Sequence, residues 1–237
     1  MIKRGLCRRC APFAVLLLFL PGSVLFAGEA GEGPNAGWEE STPGRWNSLP
    51  ERKTEAKGDV FRAEIDLRPG TGVLWEKRMN RPLRPEDRLT IEMVSTGTNR
   101  TSRDYDRYKA RFPLRVTVVF GDEVVDLPWK KKFGEFFREL WHGFSPGGIR
   151  LTFAYGNGLP VGSMYRLGGA ETVFILAGEE ENGKRVRTVR NVREDFRAAY
   201  GRDPRGAVSR ILVSAERPSR EDGAIHAEVG LTTHLLP

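Results

Sequence analysis

Asp104-Tyr105-Asp106-Arg107-Tyr108 is the densest gathering of chemistry-bearing side chains in this 237-residue chain. On an extended strand it places both carboxylates on one face and Tyr105 and Arg107 on the other, an arrangement suited to calcium ligation, acid/base work or contact with a sugar. The alternative is a solvated loop in which Arg100, Arg103, Arg107, Lys109 and Arg111 neutralise the acids. Calcium takes roughly six to eight oxygens, and no further run of carboxylates at loop spacing accompanies the pair. Trp75, Tyr155 and Tyr165 are rings whose faces can stack on a sugar beside that cluster, packing in a core being the other use of such rings. The candidate binding residues are therefore Trp75, Asp104, Tyr105, Asp106, Tyr155 and Tyr165.

Other chemistries find no local support. His142, His226 and His234 are scattered, and no two share metal-ligand spacing. Ser163 lacks the glycines two places before and two after that make a nucleophile elbow. The glycines at 70, 72, 147 and 148 have neither the spacing nor the strand-to-helix setting of a phosphate loop, and read as turns. No catalytic residue, metal or cofactor is assigned.

The N-terminus explains much of the composition. Basic Lys3, Arg4, Arg8 and Arg9, an apolar run from Ala14 to Leu20 and the small Ala27 make an export signal over residues 1–27, with Ala30 as the second cleavage choice. The run is short for a membrane span, so removal is expected over a stable transmembrane anchor. The general secretory route explains the Arg8-Arg9 pair more simply than the twin-arginine route. Both cysteines, Cys7 and Cys10, fall in this segment. Four of the 38 Lys and Arg precede Ala27, which leaves 34 against 31 acidic residues and lowers the formal charge from +7 to +3. A near-neutral exported chain gives no reason to expect nucleic acid as a partner.

Residues 28–58 are rich in Gly, Glu, Pro and Ser and read as a flexible leader, its Trp38 and Trp46 packing as plugs on the domain that follows. From 59 to 237 the pattern is that of one β-domain. Phe61, Ala63, Ile65 and Leu67 alternate with Arg62, Glu64 and Asp66; Leu89, Ile91 and Met93 repeat the period, as do Leu114, Val116, Val118 and Phe120. Further strands are expected at 149–155, 172–177, 208–215 and 224–231, between turns such as Arg68-Pro69-Gly70. Two short helices interrupt them. Phe133, Phe136, Phe137, Leu140 and Trp141 share one helical side, plugging the sandwich or lying on an anionic surface after Lys130–Lys132. The second runs from a cap at Asn191, with Glu194 completing a capping box, to Tyr200 before Gly201. The fold class is mainly β: a jelly-roll-like, two-sheet antiparallel sandwich with two short helices.

The stretch from Arg150 to Pro204 carries a resemblance. Leu159-Pro160-Val161-Gly162-Ser163, the strand Thr172–Gly178, and Arg190-Asn191-Val192-Arg193-Glu194-Asp195-Phe196 closing at Tyr200-Gly201-Arg202-Asp203-Pro204 resemble the bacterial domain-of-unknown-function 3047 family. Weaker agreement runs back through Arg115–Phe120 and Gly58–Leu67. The resemblance implies a secreted or periplasmic jelly roll without an assigned reaction, and it supplies no catalytic residues. The chain departs from the family at Glu216–Gly223, where relatives tend to have an acidic, Asn-containing turn, and in the aromatic segment between Pro128 and Phe144.

The function expected from these features is non-catalytic: a periplasmic or extracellular β-sandwich that binds an envelope component, a glycan or a protein. Two alternatives stand beside it. One is a glycoside-hydrolase-like enzyme using paired carboxylates from Asp104, Asp106 or Glu194; the other is a structural subunit of an envelope complex.

Overall fold

A computed structural model describes residues 37–42, 48–105, 110–121, 148–168 and 170–234, all within the compact unit Pro34–Pro237. The export segment, Trp46, Asp106 and the aromatic helix expected at 133–141 lie outside them. The strands are β1 (Trp38–Ser41), β2 (Glu51–Lys57), β3 (Val60–Leu67), β4 (Thr71–Arg81), β5 (Arg88–Ser95), β6 (Leu114–Phe120), β7 (Ile149–Tyr155), β8 (Met164–Arg166), β9 (Glu171–Ala177), β10 (Val186–Arg190), β11 (Val208–Arg217) and β12 (Ile225–His234). One α-helix, α1 (Val192–Tyr200), separates β10 from β11.

Strict alternation builds the smaller sheet, ordered β10-β5-β12-β3-β2. Along β3 every second residue is buried, and β12 repeats the pattern, so one face of each strand turns inward and the other to water. The larger sheet, ordered β1-β4-β11-β6-β7-β9-β8, behaves differently. Its central strands β6, β7 and β9 are buried at every position, which erases the alternation in water contact. The inward faces of the two sheets enclose one core that includes Phe61, Trp75, Ile91, Val116, Phe153 and Val213. Each large apolar side chain contributes about 1.5–3 kcal/mol on burial, against about 0–1 kcal/mol for an exposed ion pair, so this interior holds the layers together.

Two expectations are corrected here. The leader is not flexible throughout, because β1 and β2 occupy its second half as edge strands of the two sheets. Edge strands carry charge and little apolar surface; Ala56 is the only fully buried residue of β2, so the stretch shows no apolar period. Trp38 packs inward against Phe61, ring centroids 4.4 Å apart, as a plug does. The pairing is also not wholly antiparallel. β7 and β9 run parallel, joined through residues 156–168 and 170, with β8 turned back antiparallel on the outer side of β9.

The helix α1 starts where expected. Asn191 is its N-cap and accepts the Glu194 N–H at 3.4 Å, and Gly201 ends it in a left-handed conformation. The return bond expected from the Glu194 carboxylate is not made: Glu194 is exposed to water. No helix among the described residues is long and apolar enough to cross a membrane.

Candidate functional site

The residues singled out for binding do not share a surface. Asp104 sits in a turn, not a strand, and is 2% exposed. Its Oδ2 accepts the backbone N–H groups of Asn157, Gly158 and Leu159 at 2.8, 3.0 and 3.1 Å, and its Oδ1 accepts the Asn157 side-chain amide at 2.7 Å. A carboxylate offers about four acceptor sites, and here four donors take them. The group therefore clamps a loop. It does not present itself to a substrate. Gly156 leaves room for this, since a Cβ there would stand 3.2 Å from Asp104 Oδ2 and 2.9 Å from Ile175.

The rings have structural partners too. Tyr165 is half-buried and donates to the Asp104 carbonyl at 2.6 Å; burial and the nearby Asp104 carboxylate push its phenol far above the ordinary range. Tyr155 is buried in the core and donates to Asn182 Oδ1 at 3.0 Å, its pKa raised to about 12 by burial and then by Glu181. Trp75, buried against Phe61, donates its indole N–H to Glu40 at 2.9 Å. Trp75 and Tyr155 have no exposed face on which a sugar can stack, which corrects that use of them. Tyr105 is exposed, and Asp106 lies outside the described residues.

The Glu216–Gly223 turn serves the same end of the sandwich. Arg217, 4% exposed, donates to the carbonyls of Gly223, Asp222 and Thr98 and to Asn99 Oδ1. Glu221 accepts the Arg100 and Thr101 N–H groups at 3.0 and 2.6 Å. A cavity of about 330 Å³ opens beside them. Its buried charged groups are committed to holding loops together.

A larger groove, about 510 Å³, crosses the outward face of the smaller sheet. Strand registry fixes its floor. Glu228 of β12 is the Cα partner of Glu64 on β3, and Gly230 lies between Arg62 of β3 and Glu92 of β5. Directly paired residues on antiparallel strands have Cα atoms roughly 4.5–5.5 Å apart with side chains on one face, so Glu64 and Glu228 stand side by side. Gly230 removes the side chain from the middle of the floor; a Cβ there would come within 3.3 Å of the Glu92 Cβ.

An ion chain runs along one flank. Asp66 contacts His226 Nδ1 at 2.9 Å, His226 Nε2 reaches Glu228 at 3.6 Å, and Glu228 pairs with Arg185. Arg185 continues to Glu92 at 3.6 Å, and Arg187 meets Glu92 at 3.3 Å. Hydrogen bonding to Asp66 raises the His226 pKa above its ordinary 6.5, with burial opposing and Glu228 adding to the rise. The sequence signal for this face was present in Arg62, Glu64 and Asp66, whose outward alternation reads only as a solvated surface. What it lacked was the neighbouring strands. Glu194, the third carboxylate considered for acid/base work, is exposed on α1, whereas the Glu64–Glu228 pair belongs to β3 and β12. No group of three His, Cys, Asp or Glu among the described residues is placed to hold a metal ion.

No family model and no curated protein matches the sequence. Among solved structures the chain is similar to endoglucanase 3 of Trichoderma harzianum, from family GH12, with 11% identity over 85% of this chain and 92% of that one and a TM-score of 0.43. It is similar to the same degree, at 11% identity and a TM-score of 0.43, to the catalytic domain of Humicola grisea Cel12A, solved with a soaked thio-cellotetraose, over 85% of this chain and 94% of that one. Likeness of this degree carries no information about substrate or reaction.

Proposed function

We propose that the protein is an exported, non-catalytic β-sandwich that binds an envelope glycan in the charged groove of its smaller sheet. The observation that carries this reading is the floor at Gly230, bare of side chain and bordered by Arg62, Glu64, Glu92 and Glu228. Carboxylates and guanidiniums are strong, directional partners for hydroxyl and amide groups, and a five-stranded face gives them fixed spacing. Export is supported by the residues of the 1–27 segment. Membership of the domain-of-unknown-function 3047 family is part of the same proposal, supported by the Arg190–Phe196 stretch and its continuation to Pro204.

The second reading is glycoside hydrolysis, favoured by the Glu64–Glu228 register. Retaining enzymes of this kind place two carboxyl groups about 5–5.5 Å apart, a spacing that directly paired strand residues can provide. Against it, Glu228 is tied to Arg185 and His226, and Glu64 is exposed without the apolar surroundings that suit a general acid. Incubating the chain lacking residues 1–27 with purified cell-wall polysaccharide separates the two. Retention on the polymer without new reducing ends, weakened by Arg62→Gln, is the expected result. Release of reducing ends that disappears in both Glu64→Gln and Glu228→Gln establishes hydrolysis, and neither retention nor release removes the glycan altogether.

A further inference from the structure

The outward face of the smaller sheet is a charge lattice whose two halves differ. Registry sets Lys53 beside Glu64 and Glu228 in one row, and Glu55, Arg62, Gly230, Glu92 and Arg187 across the next. On the β5–β10 side the charges are consumed: Glu92, Glu228, Arg185 and Arg187 belong to the ion chain. On the β2–β3 side they are not. Among the described residues, none of Lys53, Glu55, Arg62 and Glu64 takes part in an ion pair or a side-chain hydrogen bond, although Lys53–Glu64 and Glu55–Arg62 are opposite charges in direct register.

Exposure alone does not account for the difference. Arg185 and Arg187 have side chains 57% and 66% exposed and still reach their carboxylates. The open half is also the half beside the missing side chain. Gly230 is the direct partner of Arg62 and stands between it and Glu92, so a group lying on the bare strand at Gly230 has an open cation, Arg62, and an open carboxylate, Glu64, at its edge. These two are alternate residues of β3, about 7 Å apart along the strand. Glycine in a strand interior weakens the strand and often marks a bulge, a tight bend or a close approach by a ligand or another backbone; β12 keeps unbroken register with β3 and β5 through residue 230, so no bulge accounts for it. The backbone at 230 needs no glycine for its own sake, its φ not being positive.

We infer that the groove selects a zwitterionic unit, an ammonium and a carboxylate carried a few ångströms apart on the glycan, which lies over Gly230 with its carboxylate on Arg62 and its ammonium on Glu64. This inference rests on the glycan-binding reading and narrows it: a sugar chain bearing amino-acid or short-peptide substituents fits, and a neutral polysaccharide does not. Mixed charge in an open groove gives selectivity and a salt-dependent affinity, because exposed pairs are screened beyond roughly 8–10 Å at physiological ionic strength.

Calorimetric titration of the mature chain tests this with two probes, a cell-wall disaccharide carrying a short peptide with free ammonium and carboxylate, and the neutral N-acetylated disaccharide. Expected is at least a tenfold preference for the peptide-bearing probe, lost in Arg62→Gln and in Glu64→Gln and reduced by raising salt from 50 to 500 mM. Gly230→Ser weakens that probe about tenfold in protein that stays folded at the titration temperature, whichever way its Cβ contact with Glu92 shifts the melting temperature, a loss of affinity that a purely structural glycine would not give. Equal binding of both probes, or a loss in only one of Arg62→Gln and Glu64→Gln, overturns the zwitterion and leaves glycan binding standing. Binding of neither probe overturns the glycan-binding reading and the zwitterion with it.

Discussion

Asn157 gives both its backbone N–H and its side-chain amide to Asp104, at 2.8 and 2.7 Å. The same asparagine accepts the Asn99 N–H and donates to the Arg111 carbonyl, so one side-chain pair joins three loops at this end of the sandwich. Hydrogen bonds to a charged group contribute about 1.5–3 kcal/mol each. Asp104→Ala, leaving buried N–H groups without acceptors, is expected to cost about 3 kcal/mol or more in denaturant unfolding. Binding at the smaller sheet should be unchanged in the protein that remains folded. A loss of affinity with no loss of stability would put Asp104 in the binding site after all.

Arg190 lies over the rings of Phe153 and Phe174, at 5.5 and 5.3 Å from their centroids, and pairs with Asp195. Burial raises the Asp195 pKa, and the Arg190 hydrogen bond opposes the rise. A carboxyl whose folded pKa is raised stabilises most below its unfolded value and loses that contribution as pH climbs through the folded value. Arg190→Ala strips away the cation and drives the pKa further up. Its deficit, about 2–4 kcal/mol near neutrality, should shrink on acidification below the carboxylate range, and the double variant with Asp195→Ala should show strong coupling. A deficit that is flat with pH would mean that ring contact alone accounts for Arg190.

Phe196 packs on Phe120 and Tyr200, each with ring centroids 4.8 Å away, and is wholly buried. Phe196→Ala should destabilise by about 3–5 kcal/mol through the lost transfer and the cavity left behind. Chemical denaturation with an unchanged m-value is the readout.

His226 bridges Asp66 on β3 and Glu228 on its own strand. Its pKa is raised, so its stabilising contribution is present in full below 6.5 and lost as pH rises through the raised value. Melting temperature measured between pH 5.5 and 8.5 should fall across that window in the parent and run flatter in His226→Gln. An identical slope in both would assign the pH dependence elsewhere.

The motif behind the family resemblance was legible as sequence, and its physical meaning came from packing. Asn191 caps α1, Val192 and Phe196 enter the core, and Arg190 and Asp195 close on each other. Each is occupied in holding α1 against the sandwich. β4 is not legible in the sequence for a different reason. Its apolar residues Val73, Leu74 and Trp75 are consecutive and too few to show a period, and Glu76 to Arg81, mostly charged, continue the strand without an apolar face.

Residue order alone determined the layered β-architecture, the capped helix and its stop at Gly201, because those depend on local period and on backbone preferences that neighbours in the chain settle between themselves. Tertiary pairing decided which charges meet. Glu64 and Glu228 are 164 positions apart and become neighbours only through the register of β3 with β12, while Asp104, next to promising partners in sequence, is turned inward to hold a loop. A strand's register is chosen by the core on its inner face, and the outer face inherits whatever juxtaposition results.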